Sequence, residues 1–191
     1  MTELTFNEKR ILLSIARAAI ARAVGKREGP VEPKEAEWTA TLRMKAGVFV
    51  TLELDHRLRG CVGYVQSQNP LAETVKDAAV SAALHDNRFT PVVAEELDRI
   101  EIEISVLTPM KKVTQIDEIV PGEHGLLIEK GYRHGLLLPQ VATEYGWIRE
   151  TFLEQTCIKA GLGKEEWRNP DVSIYSFTAL VFHENELGEN T

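Results

Sequence analysis

Between Ile100 and Val106 every second residue is a branched aliphatic, with Glu101, Glu103 and Ser105 standing between Ile100, Ile102, Ile104 and Val106. Successive side chains of a strand point to opposite faces, so this segment predicts a strand with one dry and one polar face. The same alternation runs through Val48, Val50, Leu52 and Leu54, with Phe49, Thr51 and Glu53 between them. Asp55-His56-Arg57 then predicts a tight turn, and Leu58 to Val65 the antiparallel partner. A sheet with one apolar face must bury it against another layer.

Helices supply that layer. Thr5-Phe6-Asn7-Glu8 is a capping box, followed at helical spacing by Ile11, Leu12, Ile15, Ala18 and Ala19 and stopped by Gly25. Residues 26–40, with Pro30 and Pro33, read as an exposed connection. Asn69-Pro70 predicts a second helix start, and Leu71, Val75, Ala78, Ala79 and Ala82 form its apolar stripe. Leu126–Glu129 and Gly135–Leu138 predict a hairpin around Lys130-Gly131. Ile148, Phe152, Leu153, Thr156, Cys157 and Ala160 mark a further helix ended by Gly161. Ser173 to Phe182 carries apolar residues on both faces and predicts one central strand, and the acidic tail from Glu184 is expected to fray. The fold class is therefore α+β, a largely antiparallel sheet packed with helices. One domain over residues 1–184, with two lobes sharing one core, is followed by an acidic tail over 185–191.

Charge narrows the partners. A formal net charge of −7 and scattered basic residues argue against nucleic acid, which draws its affinity from clustered Lys and Arg. No apolar run approaches the roughly 20 residues of a membrane helix. The start Met1-Thr2-Glu3-Leu4 lacks the apolar stretch of a secretory signal. The two cysteines, Cys61 and Cys157, are expected as free thiols in a cytoplasmic protein.

The segment Leu58-Arg59-Gly60-Cys61-Val62-Gly63 is the functional centre. Paired glycines in a strand mark a bulge or a close backbone approach, and a bulge can re-aim a side chain. On a regular strand Arg59 and Cys61 share a face, and a guanidinium there would favour the thiolate, the nucleophilic form. A bulge at Gly60 would alter that relation. The alternative is that Cys61 is a small buried hydrophobe, the reading that Cys157 on its apolar stripe invites more strongly. A second constellation is His85-Asp86-Asn87-Arg88-Phe89. His85 could act as a base oriented by Asp86, and Arg88 could hold an anion. The competing account is helix termination, with His85 at the C-terminal dipole and Asn87 in a left-handed turn. Gln140 either faces a cleft or caps the helix beginning near Val141. Glu101 and Glu103 could be a pair of carboxylates on one strand face, and an exposed sheet face explains them at least as well. His124 and His134 flank a hairpin and could approach across it, yet no compact His/Cys spacing supplies a metal site. No metal and no cofactor is expected.

The hexapeptide resembles the hallmark of the AMMECR family. Gly47-Val48-Phe49-Val50-Thr51-Leu52, Asp86-Asn87-Arg88-Phe89, Glu103-Ile104-Ser105-Val106-Leu107, Leu138-Pro139-Gln140-Val141 and Cys157-Ile158-Lys159-Ala160-Gly161-Leu162 match in order, so the likeness covers almost the whole chain. Val62 stands where isoleucine is commoner. The resemblance implies an α+β fold with two unequal lobes and a cleft between them, beside the hexapeptide. It also implies genomic neighbours of the Memo-like and radical-SAM kinds. Two functions follow as expectations. One is an enzyme with Cys61, Arg59 and His85 as catalytic residues and Gly60, Gly63, Asp86, Arg88 and Gln140 at the substrate. The other is a non-catalytic binding or regulatory module serving a Memo-like or radical-SAM partner.

Overall fold

The computed structural model describes residues 3–26 and 30–188. The chain divides into two compact units, Met1–Leu107 with Leu180–Thr191, and Thr108–Ala179. In the larger unit Thr5 caps helix α1 (Phe6–Ala23), and the expected capping box is complete, with Glu8 reaching back to the Thr5 N–H at 2.8 Å. Strands β1 (Val48–Leu54) and β2 (Arg57–Tyr64) form an antiparallel hairpin. Its two-residue turn, Asp55 and His56, holds both residues at positive φ of 52° and 60°, the twist that tight hairpins need. Helix α2 (Leu71–Leu84) follows, then β3 (Ile100–Leu107). The start of α2 is one residue later than expected, with Pro70 as the cap and no side-chain cap. Its leading N–H groups donate instead to carbonyls, Leu71 to Met44 at 2.8 Å and Ala72 to Leu42 at 3.1 Å.

The smaller unit holds β4 (Lys111–Lys112), β5 (Gly125–Lys130), β6 (Arg133–Leu137), α3 (Pro139–Glu144), α4 (Arg149–Lys159) and β7 (Ser173–Phe177). Its sheet runs in the order β4-β7-β5-β6. Ile119, Leu126, Ile128, Phe152, Leu153 and Cys157 bury themselves there as one apolar cluster.

The stretch expected as one strand over Ser173–Phe182 is two. After β7 comes β8 (Ala179–His183), which joins the other sheet. Thr178 makes the break, because its backbone bonds to Thr108 rather than to a strand: the Thr108 N–H donates to the Thr178 carbonyl at 2.9 Å, and the Thr178 N–H to the Thr108 hydroxyl at 2.8 Å. β8 completes the sheet β2-β1-β3-β8 of the larger unit. The acidic end then begins as helix α5 (Glu184–Gly188), and residues 189–191 lie outside the described residues. Glu184 is tied down by Arg17 and by the N–H of Ile102, while Arg17 also donates to the carbonyls of Leu97 and Ile100, both at 2.6 Å.

One face of this sheet carries Val48, Val50, Leu52, Ile100, Ile102 and Ile104, all at most 3% exposed, packed with α1 and α2 into the main core. Alternation sends Phe49, Thr51, Glu53, Glu101, Glu103 and Ser105 to the other face. Among the described residues no helix is long and apolar enough to cross a membrane.

Candidate functional site around Cys61

The hexapeptide lies on β2, and most of its residues have scaffold work. A Cβ on Gly60 would sit 2.2 Å from the carbonyl oxygen of Ala82, because α2 crosses the strand at that point. A Cβ on Gly63 would meet the Val48 carbonyl oxygen at 2.2 Å. Both glycines therefore mark close backbone approaches. The bulge is present but displaced: Leu52 pairs with Gly60 and Glu53 with Leu58, leaving Arg59 as the extra residue. Its guanidinium clamps Glu96 through two bonds of 3.0 and 2.9 Å and donates to the Thr90 carbonyl at 2.8 Å. That fork holds the Glu96 carboxyl below its usual range. The expected service of Arg59 to the Cys61 thiolate is thus replaced by a structural clamp.

Cys61 pairs with Thr51 on β1, and Thr51 pairs in turn with Glu103 on β3. The Thr51 hydroxyl lies 3.4 Å from the Cys61 sulfur and also hydrogen-bonds the Glu103 carboxylate. Glu103 is further approached by the Ser105 hydroxyl and by His183 Nε2 on β8, each at 3.5 Å. A polar row, Cys61-Thr51-Glu103-His183, therefore crosses all four strands on the face opposite the helices. Cys61 is half-buried. Burial pushes its thiol above the ordinary value, with the charges of Glu103 and Asp86 adding to the push. Thr51 and Arg88 pull the other way. Burial also raises the Glu103 carboxyl, helped by Glu53, against the pull of His183, Thr51 and Ser105.

The segment after α2 meets the same spot through Asp86. Its Oδ2 accepts the Cys61 N–H at 2.8 Å, and the Arg88 guanidinium binds both carboxylate oxygens, at 2.9 and 2.7 Å. Arg88 also reaches the Cys61 carbonyl at 3.3 Å, and its side chain stays half exposed. The cation beside Cys61 is Arg88, not Arg59. His85 is exposed at the C-cap of α2, while Asn87 does not adopt the left-handed conformation expected for a helix stop. Gln140 belongs to the smaller unit, inside α3 rather than capping it, since Leu138 is the cap residue. His134 is exposed opposite Glu129. His124 Nδ1 accepts the Val120 N–H at 3.0 Å.

The sequence marks neither Thr51 nor His183 as a site residue, and Glu103 only as a carboxylate on a strand face. The alternation of β1 and β3 carried part of the signal, but the register that aligns them did not show. Among the described residues one group could offer donors to a metal ion: Glu53, His56 and Glu101, whose ligand atoms lie within 4.8 Å of one another. A cavity of about 380 Å³ lies beside it, lined by Arg17, Asp55, His56, Arg99, Glu101 and Glu184. Another of about 360 Å³, lined by Lys130, Tyr132, Arg133, Leu162 and Glu166, lies in the smaller unit. Cys61 lines neither.

The model of the AMMECR1 family matches residues 13–182. The chain belongs to the AMMECR1 family. An archaeal protein of Methanothermobacter thermautotrophicus is 43% identical over 189 residues, covering 95% of this chain and 97% of that protein. One from Thermococcus gammatolerans is 46% identical over 184 residues, covering 91% and 88%. The crystal structure of the uncharacterized protein PH0010 from Pyrococcus horikoshii superposes with a TM-score of 0.84 at 40% identity, covering 91% of this chain and 89% of that one. The names of these AMMECR1-family relatives carry no activity.

Proposed function

We propose that this AMMECR1-family protein is an enzyme whose nucleophile is the Cys61 thiol, acting on an electrophilic centre. A single observation supports the reading. In the hexapeptide Arg59, Gly60 and Gly63 each have a structural reason to be what they are, whereas the reactive group of Cys61 meets a polar row instead of the apolar core. A cysteine kept only for packing has no need of a hydroxyl and a carboxylate in line with it. Arg88, half exposed and held by Asp86, takes the role of anchoring an anionic substrate group, as its place in the segment after α2 suggested. His85 is a second candidate for proton transfer from the same segment.

A second reading is supported by the raised thiol and the clamped Arg59. In it the hexapeptide shapes a recognition surface for a protein partner of the Memo-like or radical-SAM kind, and Cys61 is inert. Labelling with iodoacetamide, located by peptide mass mapping, separates the two. The enzyme reading expects Cys61 to label at alkaline pH while the fully buried Cys157 stays silent. A silent Cys61 in a folded sample would leave the binding module as the surviving account.

A further inference from the structure

The pairing register does more than place Cys61 beside a hydroxyl. Thr51 is the middle member of a three-strand alignment, with the Cys61 sulfur on one side and the Glu103 carboxylate on the other. A threonine hydroxyl has one proton to donate and can accept at the same time. While Cys61 is a thiol, the better arrangement has the hydroxyl donating to the charged carboxylate, since a bond to an ionised acceptor is the stronger one. The sulfur's own proton then points at Thr51 Oγ1. From this geometry we infer that Glu103 is the proton acceptor for Cys61, working through Thr51, with His183 Nε2 3.5 Å from one of its oxygens.

The step balances without any co-reactant. The S–H bond breaks as its proton passes to Thr51 Oγ1, and the Thr51 O–H bond breaks as that proton passes to Glu103. The electron pair left on sulfur forms the new bond to the electrophile, whose leaving group departs with the electrons of the broken bond. Thr51 ends as a hydroxyl and Glu103 as a carboxylic acid. The titratable and charged groups facing the row are Asp86 and Arg88 from the segment after α2, Glu53 from β1 and His183 from β8. The anions among them disfavour adding a further negative charge. A transfer that leaves the net charge of the Cys61–Glu103 pair unchanged is therefore preferred over loss of the thiol proton to solvent.

This inference rests on the nucleophile reading, and one experiment tells their failures apart. Two groups that share one proton titrate as a pair, and the fraction of the thiolate–carboxylic acid form does not depend on pH while the pair holds that proton. Iodoacetamide labelling of Cys61 in the full-length protein, followed from about pH 5 to pH 9, should therefore level off on the acid side. Glu103→Gln should lose the plateau and fall roughly tenfold per pH unit. Above neutrality the same variant should label faster than wild type, because a nearby negative charge is gone. The two profiles cross. Thr51→Val, which keeps the shape and removes the hydroxyl bonded to both groups, should change the level of the plateau, and an unchanged level takes Thr51 out of the path. A wild-type rate that keeps falling tenfold per unit alongside Glu103→Gln overturns the relay and leaves the nucleophile standing. A wild-type Cys61 silent at every pH overturns both.

Discussion

The carboxylate of Asp86 accepts the backbone N–H of Cys61 at 2.8 Å while its two oxygens are bound by the guanidinium of Arg88. A charged acceptor on a main-chain donor, itself neutralised by a planar fork, holds β2 to the segment that leaves α2. The consequence is mechanical before it is chemical: the backbone of Cys61 is fixed from a different element than the one it sits on.

Removing that carboxylate should therefore cost stability. Asp86→Ala strands the Cys61 N–H and the Arg88 charge, for an expected loss of about 1–3 kcal/mol, read from urea unfolding. The pH dependence has a definite sign. Hydrogen bonds from Arg88 hold the Asp86 carboxyl well below the usual aspartate range. A depressed folded value means the stabilisation is present above the unfolded value of about 3.9 and is lost as pH falls below it. Wild type should weaken between about pH 4 and pH 2, and the variant should weaken less over the same window. Parallel curves for the two would count against the assignment.

The glycines give a graded set. Gly60→Ala and Gly63→Ala each place a methyl 2.2 Å from a main-chain oxygen that cannot swing aside. Each should cost about 2 kcal/mol or more through displacement of α2 or of β1. Gly161→Ala meets open space and only a positive φ of 70°, so about 1 kcal/mol is expected. Thermal melts of the three variants test the order, and a Gly60→Ala protein as stable as wild type would refute the close approach.

Arg59→Lys discriminates clamp from catalyst. Lysine keeps a charge near Glu96 but loses the two-pronged bond and the donation to the Thr90 carbonyl. A stability loss of about 1–2 kcal/mol is expected, with the alkaline labelling rate of Cys61 unchanged. A slowed Cys61 in an equally stable protein would restore Arg59 to the reacting group.

Local pattern made much of this molecule readable. The capping box of α1, the stripe of α2 and the alternation of β1 and β3 are each written in a dozen residues or fewer, and each stands where that pattern put it. What escaped depends on distance along the chain. His183 reaches Glu103 from β8, eighty residues on, and no local window contains both. The single extra residue at Arg59 turns one side chain away from Cys61, and composition carries no mark of it. Thr178 divides an apolar run because of its bonds to Thr108, again a matter of a remote partner. Glu184, written off with the acidic tail, is fixed by Arg17 at the other end of the sequence.

The bonded pair Thr108 and Thr178 brings together the two ends of the inserted segment. The larger sheet is complete only when β8 lies beside β3, and the whole smaller unit is threaded between them. Closing a flexible loop of roughly seventy residues costs about 4 kcal/mol of chain entropy. If the smaller unit has already formed, its ends stand side by side at the two threonines, and the fourth strand is delivered at almost no further cost. The insertion then acts as a folding jig, setting the separation at which the row through Cys61 can first be assembled.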